Sequence, residues 1–313
     1  MGYNRAMHST PFQRGVWRLA DPKISLASFA GMFLAGCFAA ADGELHLGWL
    51  LLTLLGVFLV EVGKNASGEV VDYDSGTDQA VLPEDRSPFS GGKRVLVDEL
   101  LTHRQTWAIA LGCFLAAIAC GLFIAVERDS RVLWLGAAGM ALAWFYHGGS
   151  LRLAYRGLGE LAVAIAYGPL VVCGTYLVQT GTLTTALLHA ACSLGLLVAA
   201  FLWINEFPDY AADAAAGKRN LVVRLGKPAA QRVFTALVLV AYGWLLAASV
   251  HTAGAQGMAA GLIGVVPALV SIVVLHRSGG VTTRLIPAQA ACLLSFVLMA
   301  LGSGLGYLLL PAA

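Results

Sequence analysis

The chain alternates long runs without a charged side chain and short segments crowded with them. The runs are Ile24–Ala41, Leu45–Val60, Gln105–Val126, Val132–Leu151, Leu161–Asn205, Val233–His276 and Leu285–Ala313. A helix crossing a bilayer needs roughly 20 apolar residues, so each run reads as membrane-spanning. The two longest hold 45 and 44 residues, about twice what a ~30 Å hydrocarbon core accepts at ~1.5 Å per residue. Each has to fold back once, at the polar breaks Gln179-Thr180-Gly181-Thr182 and His251-Thr252-Ala253-Gly254. Five single spans and two pairs predict nine helices. The chain is therefore expected to be an all-α integral membrane protein, with a cytoplasmic segment 1–23 and one nine-helix domain over 24–313.

Composition agrees: 58% of residues are hydrophobic and 12% charged, with a mean hydropathy of +0.75, which excludes an ordinary soluble domain. Ala39-Ala40-Ala41 looks like a leader-peptide cleavage site. The run before it holds 18 residues, longer than a leader's core of about 7 to 15, so an uncleaved first helix is expected. The formal charge of +2 hides an asymmetry. With the N-terminus in the cytoplasm, only Arg128 and Arg131 of the 20 Lys and Arg fall outside. The positive-inside rule then places the C-terminus outside. The basic residues report orientation, and nucleic acid is not an expected partner. The six cysteines all sit in apolar runs without CxxC spacing, as small packing residues do.

Two cytoplasmic segments, 63–104 and 205–232, hold nearly all the chemistry. The first begins Asn65-Ala-Ser-Gly68-Glu69-Val-Val-Asp72-Tyr73-Asp74-Ser-Gly76-Thr77-Asp78. If helix 2 continues past Glu61, then Asn65, Glu69 and Asp72 share one face. The second begins Asn205-Glu206-Phe-Pro208-Asp209-Tyr210-Ala-Ala-Asp213. Asn205, Asp209 and Asp213 share a face in the same way, with Pro208 a candidate kink. Stacked carboxylates repel, and a cation resolves the repulsion. Oxygen ligands without His or Cys suit a hard ion, and Mg²⁺ is typically held by a few carboxylates plus substrate phosphates. Asn65, Glu69, Asp72, Asp78, Asn205, Asp209 and Asp213 are the candidate metal ligands. Removing Asp72, Asp209 or Asp213 is expected to abolish turnover while relieving repulsion in the metal-free chain.

Each acidic cluster is followed by a basic string, Gly92-Lys93-Arg94-Val95-Leu96-Val97 and Gly217-Lys218-Arg219-Asn220-Leu221-Val222. The echo suggests a duplicated unit of acidic helix end and basic loop. A diphosphate fits both parts, its oxygens bridged to the acids by Mg²⁺ and contacted by Lys93, Arg94, Lys218 and Arg219. The plain alternative is that these residues only set topology.

These residues resemble the UbiA superfamily of intramembrane prenyltransferases over essentially the whole chain. The stretch Asn205 through Gly226 is very similar to the second Asp-rich family motif. The resemblance implies nine transmembrane helices and Mg²⁺-dependent transfer of an isoprenyl chain from an isoprenyl diphosphate to an acceptor. It also implies a bacterial-type inner membrane protein with its active site facing the cytoplasm, with Asp72, Asp209 and Asp213 essential. The loop from His147 to Gln179 is similar to the menaquinone-pathway branch, which prenylates 1,4-dihydroxy-2-naphthoate. The likeness rests on Gly148-Gly149, Leu153-Ala154-Tyr155, Gly157-Leu158-Gly159-Glu160, Gly174-Thr175-Tyr176 and Gln179-Thr180. Where that branch usually has Asn-Asp before two aromatics, this chain has Gly68-Glu69 before Val70-Val71.

A third polar cluster lies between helices 4 and 5. Arg156 is a candidate contact for diphosphate or an acceptor carboxylate, with Glu160 placed to pair with it at i, i+4. Arg152, Tyr155 and His147 are candidate acceptor contacts. Trp144, Tyr146, Trp203 and Tyr210 are candidates for shielding an allylic cation. A transporter of cations or anionic metabolites is the main reading of another class. The outer turns after helices 5 and 7 carry no Lys, Arg, Asp or Glu, so a one-sided enzyme is favoured over a two-sided pathway. Another acceptor, or cyclisation without one, keeps the same fold.

Overall fold

The computed structural model describes residues 10–310, and of Ile24 only the backbone. Arg5, the start of the cytoplasmic segment and the last three residues lie outside the described residues. Besides short helical pieces such as Thr77–Ala80 and Leu221–Leu225, ten longer helices follow one another: α1 (Pro11–Ala20), α2 (Pro22–Ala41), α3 (Leu47–Asp74), α4 (His103–Glu127), α5 (Val132–His147), α6 (Gly159–Thr180), α7 (Thr185–Ala215), α8 (Lys227–His251), α9 (Gln256–Arg277) and α10 (Thr282–Leu309). Helices α3, α4 and α6 to α10 are each long and apolar enough to cross a membrane. An eighth is α2 taken with α1, bent by 46°, while α5 is a shorter apolar helix. Exposed leucines spaced about a turn apart, such as Leu47, Leu51 and Leu55 on α3 and Leu111, Leu115 and Leu122 on α4, give these helices an apolar outer surface. That is the surface a bilayer requires.

Local chemistry sets the boundaries. Thr10 and Thr102 open α1 and α4 with reciprocal caps to Gln13 and Gln105. Both long runs fold back at their polar breaks. Helix α6 ends as Gly181 turns left-handed at φ 68° and Thr184 caps α7, and α8 ends at His251. The two basic residues at this pole serve the turn. Arg128 donates to the carbonyls of Val178 at 3.0 Å and Gln179 at 2.6 Å, and Arg131 donates to Gly181 O at 2.5 Å, satisfying the open carbonyls of the α6 C-terminus.

The core lies between α2 and α6 to α10, around Phe38, Tyr176, Leu194, Ile204, Phe234 and Phe296. Helices α9 and α10 touch backbone to backbone, because a Cβ at Gly257 or Gly306 would collide with the opposite chain, a close approach characteristic of membrane helices. The segments 63–104 and 205–232 are loop only in part. Residues 63–74 are the last turns of α3 and residues 205–215 the last turns of α7. Pro208 lies within α7, which runs unbroken, because the freed backbone group is one bond in a 31-residue helix. The acids therefore sit on rigid helix ends.

Candidate active site

Helices α3 and α7 end at the same pole, and Lys218 joins them. Its ammonium lies 3.7 Å from Asp72 Oδ2 and 3.6 Å from Asp213 Oδ1. Burial works against the charge of Lys218, but the carboxylates of Asp213 and Asp72 outweigh it and hold its pKa well above the ordinary lysine value. The geometry follows from the chain. Gly217 turns left-handed at φ 73°, and Lys218 N donates to Asp213 O at 2.8 Å, which folds Lys218 straight back over the end of α7. Asn220 caps the following short helix through its side-chain oxygen, and its amide donates to Asp213 Oδ2 at 2.8 Å.

Asp72 collects a shell of its own. Tyr155 Oη donates to Oδ1 at 2.7 Å, with Ser75 Oγ 2.8 Å from the same hydroxyl. His147 Nε2 lies 3.6 Å from Oδ2. His147 fits because residue 68 is glycine: any Cβ there would collide with the imidazole ring. Burial and the Asp72 charge push the Tyr155 hydroxyl above its usual pKa, so it stays a donor.

The segment after α3 returns across both acidic ends. Gly91 N donates to Asp209 Oδ2 at 3.2 Å and Leu96 N to Glu69 Oε1 at 3.0 Å. Gly92, at φ 76°, lies against the Asp78 carboxylate with no room for a side chain. Burial, then the nearby charges of Asp72 and Glu69, push the Asp78 carboxyl up to about 8. Asp78 Oδ2 and Asp209 Oδ1 are buried without a hydrogen-bond partner, which a cation would supply. Among the described residues no three His, Cys, Asp or Glu side chains are close enough to bind a metal alone. Mg²⁺ does not require such a cluster, because it takes one or two carboxylates and completes its shell with phosphate and water.

The other expected site residues are spread more widely. Asn65 donates to Leu19 O at 2.9 Å and Asn205 accepts from Gln289 at 3.0 Å, so each pins a neighbouring helix. Lys93 pairs with Asp21. Arg94 donates to Asp78 O at 2.8 Å and lies 3.5 Å from Asp98. Arg219 and Arg156 are exposed. Arg152 stacks over the Tyr155 ring at 4.1 Å. Glu160 does not pair with Arg156. It accepts from Leu221 N at 2.6 Å, because the backbone of the basic string comes closer than a side chain one turn away. Of the candidate aromatics, Trp203 donates to Ala230 O inside the core and Tyr210 lies under Lys227. Trp144 packs on Trp107 and Phe114. Only Tyr146 lines the cavity described next.

Beside the acids lies an apolar cavity of about 600 Å³ between α3, α4, α5 and α6, lined by residues such as Val60, Ile118, Leu122, Met140 and Leu170. The partly exposed Ile118, Leu122 and Leu133 carry it to the lipid-facing surface. Lys64 and Tyr146 also line it, and Tyr146 packs edge-on against His147 at 4.7 Å between ring centroids. The cavity thus adjoins the Asp72 shell. Glu61, Lys64, Ser75, Thr77 and Asn220 carry no role in the motif reading, and charge at the very end of an apolar run was the available signal for the first two.

Known proteins resemble this chain in sequence and in fold. The family model described as "UbiA prenyltransferase family" matches residues 29–280. The 1,4-dihydroxy-2-naphthoate octaprenyltransferase of Haemophilus influenzae is 33% identical over 247 residues, 76% of this chain and 77% of that protein. Its namesake in Mycobacterium tuberculosis is 32% identical over 209 residues, 66% of this chain and 69% of that one. A UbiA homolog from Archaeoglobus fulgidus, solved bound to GPP and Mg²⁺, superposes with a TM-score of 0.67 at 15% identity, covering 91% of this chain and 99% of that one.

Proposed function

The chain belongs to the UbiA prenyltransferase family, and from that premise we propose that it transfers an isoprenyl chain from an isoprenyl diphosphate to 1,4-dihydroxy-2-naphthoate, with Mg²⁺, in quinone biosynthesis. Nine helices, α2 to α10, span a bacterial inner membrane with the N-terminus and the acidic pole in the cytoplasm. The observation that carries the reading is Lys218 held between Asp72 and Asp213, beside two carboxylate oxygens without partners and an apolar cavity open toward lipid. A polyanion with a long apolar tail fits both halves. The naphthoate acceptor is supported by the names of the relatives.

Asp72, Asp78, Asp209 and Asp213 would offer Mg²⁺ the one or two carboxylates it takes, and the ion would neutralise charge on the diphosphate as it leaves. Lys218 adds a fixed positive charge where negative charge develops, and it is already oriented by two carboxylates before substrate arrives. Tyr155 and His147 hold Asp72 in place. The isoprenyl tail lies in the apolar cavity, whose walls keep water from capturing the allylic carbon, and the Tyr146 ring offers that carbon a π face.

Purified protein with Mg²⁺, labelled isoprenyl diphosphates and a panel of aromatic acids tests the reading by product mass. Prenylation of 1,4-dihydroxy-2-naphthoate with loss of carbon dioxide is the expected result. Prenylation of 4-hydroxybenzoate with the naphthoate ignored would overturn the acceptor, and no transfer to any acceptor would overturn the reaction.

A further inference from the structure

The cavity wall carries two charged residues that the transfer reaction described above does not use. Glu61 lines it and is 6% exposed. Ser25, Ser28 and Tyr167 are neighbouring hydroxyls, yet neither carboxylate oxygen of Glu61 closes a hydrogen bond. Ser28 donates instead to Ser25 O at 2.9 Å. Lys64 lines the same cavity, three residues nearer the acidic pole, and rests 5.3 Å from the Tyr146 ring centroid. Its ammonium has no carboxylate within ion-pair distance among the described residues. A buried carboxylate whose oxygens close no hydrogen bond is costly, and an ammonium one turn away reduces that cost without removing it. A ligand that satisfies both removes that cost.

Geometry narrows the ligand. Glu61 precedes Asp72 by eleven residues, three helical turns, so the two share a face of α3 about 16 Å apart along its axis. That leaves room for a metal-bound diphosphate at one end and an aromatic ring at the other. An isoprenyl chain or a lipid tail has nothing for a carboxylate or an ammonium to bind. Residues three apart on a helix have Cβ atoms about 5–6 Å from each other, close enough for their side chains to grip adjacent substituents on one ring. We propose that Glu61 and Lys64 form the acceptor-reading edge of the cavity: Lys64 takes the carboxylate, and Glu61 accepts the hydroxyl hydrogen bond, of an aromatic acid bearing the two groups side by side. The inference rests on the acceptor reading above and moves the carboxylate contact from the exposed Arg156 to the buried Lys64.

Binding of three probes to the full chain in lipid nanodiscs tests it: 1-hydroxy-2-naphthoate, 2-naphthoate without the hydroxyl, and 1-naphthol without the carboxylate. The wild-type protein is expected to bind the first about tenfold more tightly than either of the others, one hydrogen bond to a charged group. Glu61→Gln should erase the preference over 2-naphthoate, and Lys64→Met the preference over 1-naphthol. Affinity for geranyl diphosphate should stay within about twofold of wild type in both variants. The melting temperature of Glu61→Gln should equal or exceed that of wild type, since an unpartnered carboxylate is removed, which separates lost recognition from lost folding. Variants that keep both preferences would overturn the assignment and leave the transfer reaction standing. A wild-type chain that binds geranyl diphosphate but none of the three aromatics would overturn the assignment together with the acceptor reading.

Discussion

The two acidic helix ends look alike in sequence, and the chain treats them differently. After α7, Lys218 follows Asp213 by five residues, and the left-handed Gly217 returns it onto the acids of both helices. After α3, Lys93 follows Asp72 by twenty-one residues. The intervening chain spends that length on two short helical turns, Thr77–Ala80 and Pro83–Asp85, and sets Lys93 down on Asp21 at the junction of α1 and α2. What the first segment brings back over the acids is backbone, the N–H groups of Gly91 and Leu96. The segment after α7 thus supplies a cation that both helix ends share, and the segment after α3 supplies peptide N–H groups to both. The similar Gly-Lys-Arg strings differ because distance along the chain decides where a side chain can reach.

Replacing the acids breaks this pattern hardest. Asp72→Asn, Asp209→Asn and Asp213→Asn should each remove Mg²⁺-dependent product formation, a loss of at least about 1,000-fold in kcat/KM, because each takes away a candidate metal ligand. Their stabilities should split. Asp209 has no cation partner and one oxygen without a hydrogen bond, so Asp209→Asn should leave the Mg²⁺-free melting temperature unchanged or raised. Asp72 and Asp213 share Lys218, so their replacement should lower it. That revises the expectation, drawn from like-charge spacing alone, that removing any of the three relieves repulsion. Uniform stabilisation by all three would mean that Lys218 pairs with neither.

The basic residues separate the two ends next. Lys218→Met should cost about 100-fold or more in kcat/KM, the scale of losing one fixed electrostatic contact to a leaving group. Lys93→Met should stay within about threefold, since its partner Asp21 belongs to the α1–α2 junction and to no acid of the site. Comparable losses from both would show that the two strings act as the equivalent pair their sequences suggest. Gly92→Ala tests the peptide roof. A Cβ there meets the Asp78 carboxylate, and φ 76° strains any L side chain, so a destabilisation of about 1–3 kcal/mol in urea unfolding is expected. Wild-type stability would mean that the segment does not lie on Asp78.

Much of this was legible in the residues. Runs without charge predict where α2 to α10 lie, and the polar breaks at Thr180-Gly181 and His251-Thr252 predict both reversals. Four-and-three spacing predicts that Glu69 and Asp72 share a face, as the helical end of α3 allows. Periodicity says which residues lie on one face of a helix and is silent on what faces them. Asn65 and Asn205 read as ligands, while in the fold they tie α3 to Leu19 and α7 to Gln289. Glu160 read as the partner of Arg156, and a backbone N–H sixty-one residues onward takes it. Glu61 and Lys64 read as the end of a span because their shared cavity is made by three other helices.

The smallest expected effect is on pH dependence, to which Asp78 contributes. Asp78 is held at about 8 by burial and by the charges of Asp72 and Glu69, against an ordinary carboxyl value near ~4 in the unfolded chain. The folded protein therefore binds this proton more tightly than the unfolded one. The stability it contributes is complete below about pH 4 and is lost progressively as the pH rises through about 8. Lys218, between the two ends, keeps its charge throughout the same range, since its pKa lies well above the ordinary lysine value, and it adds no slope. In Mg²⁺-free detergent solution the melting temperature should fall by several degrees between pH 6 and 8, since a carboxyl at about 8 folded and about 4 unfolded loses roughly 2 kcal/mol over that interval. Asp78→Asn should flatten that fall, and Mg²⁺ with an isoprenyl diphosphate should flatten it too, by giving the ionised carboxylate a partner. An unchanged slope in Asp78→Asn would assign the proton to another group.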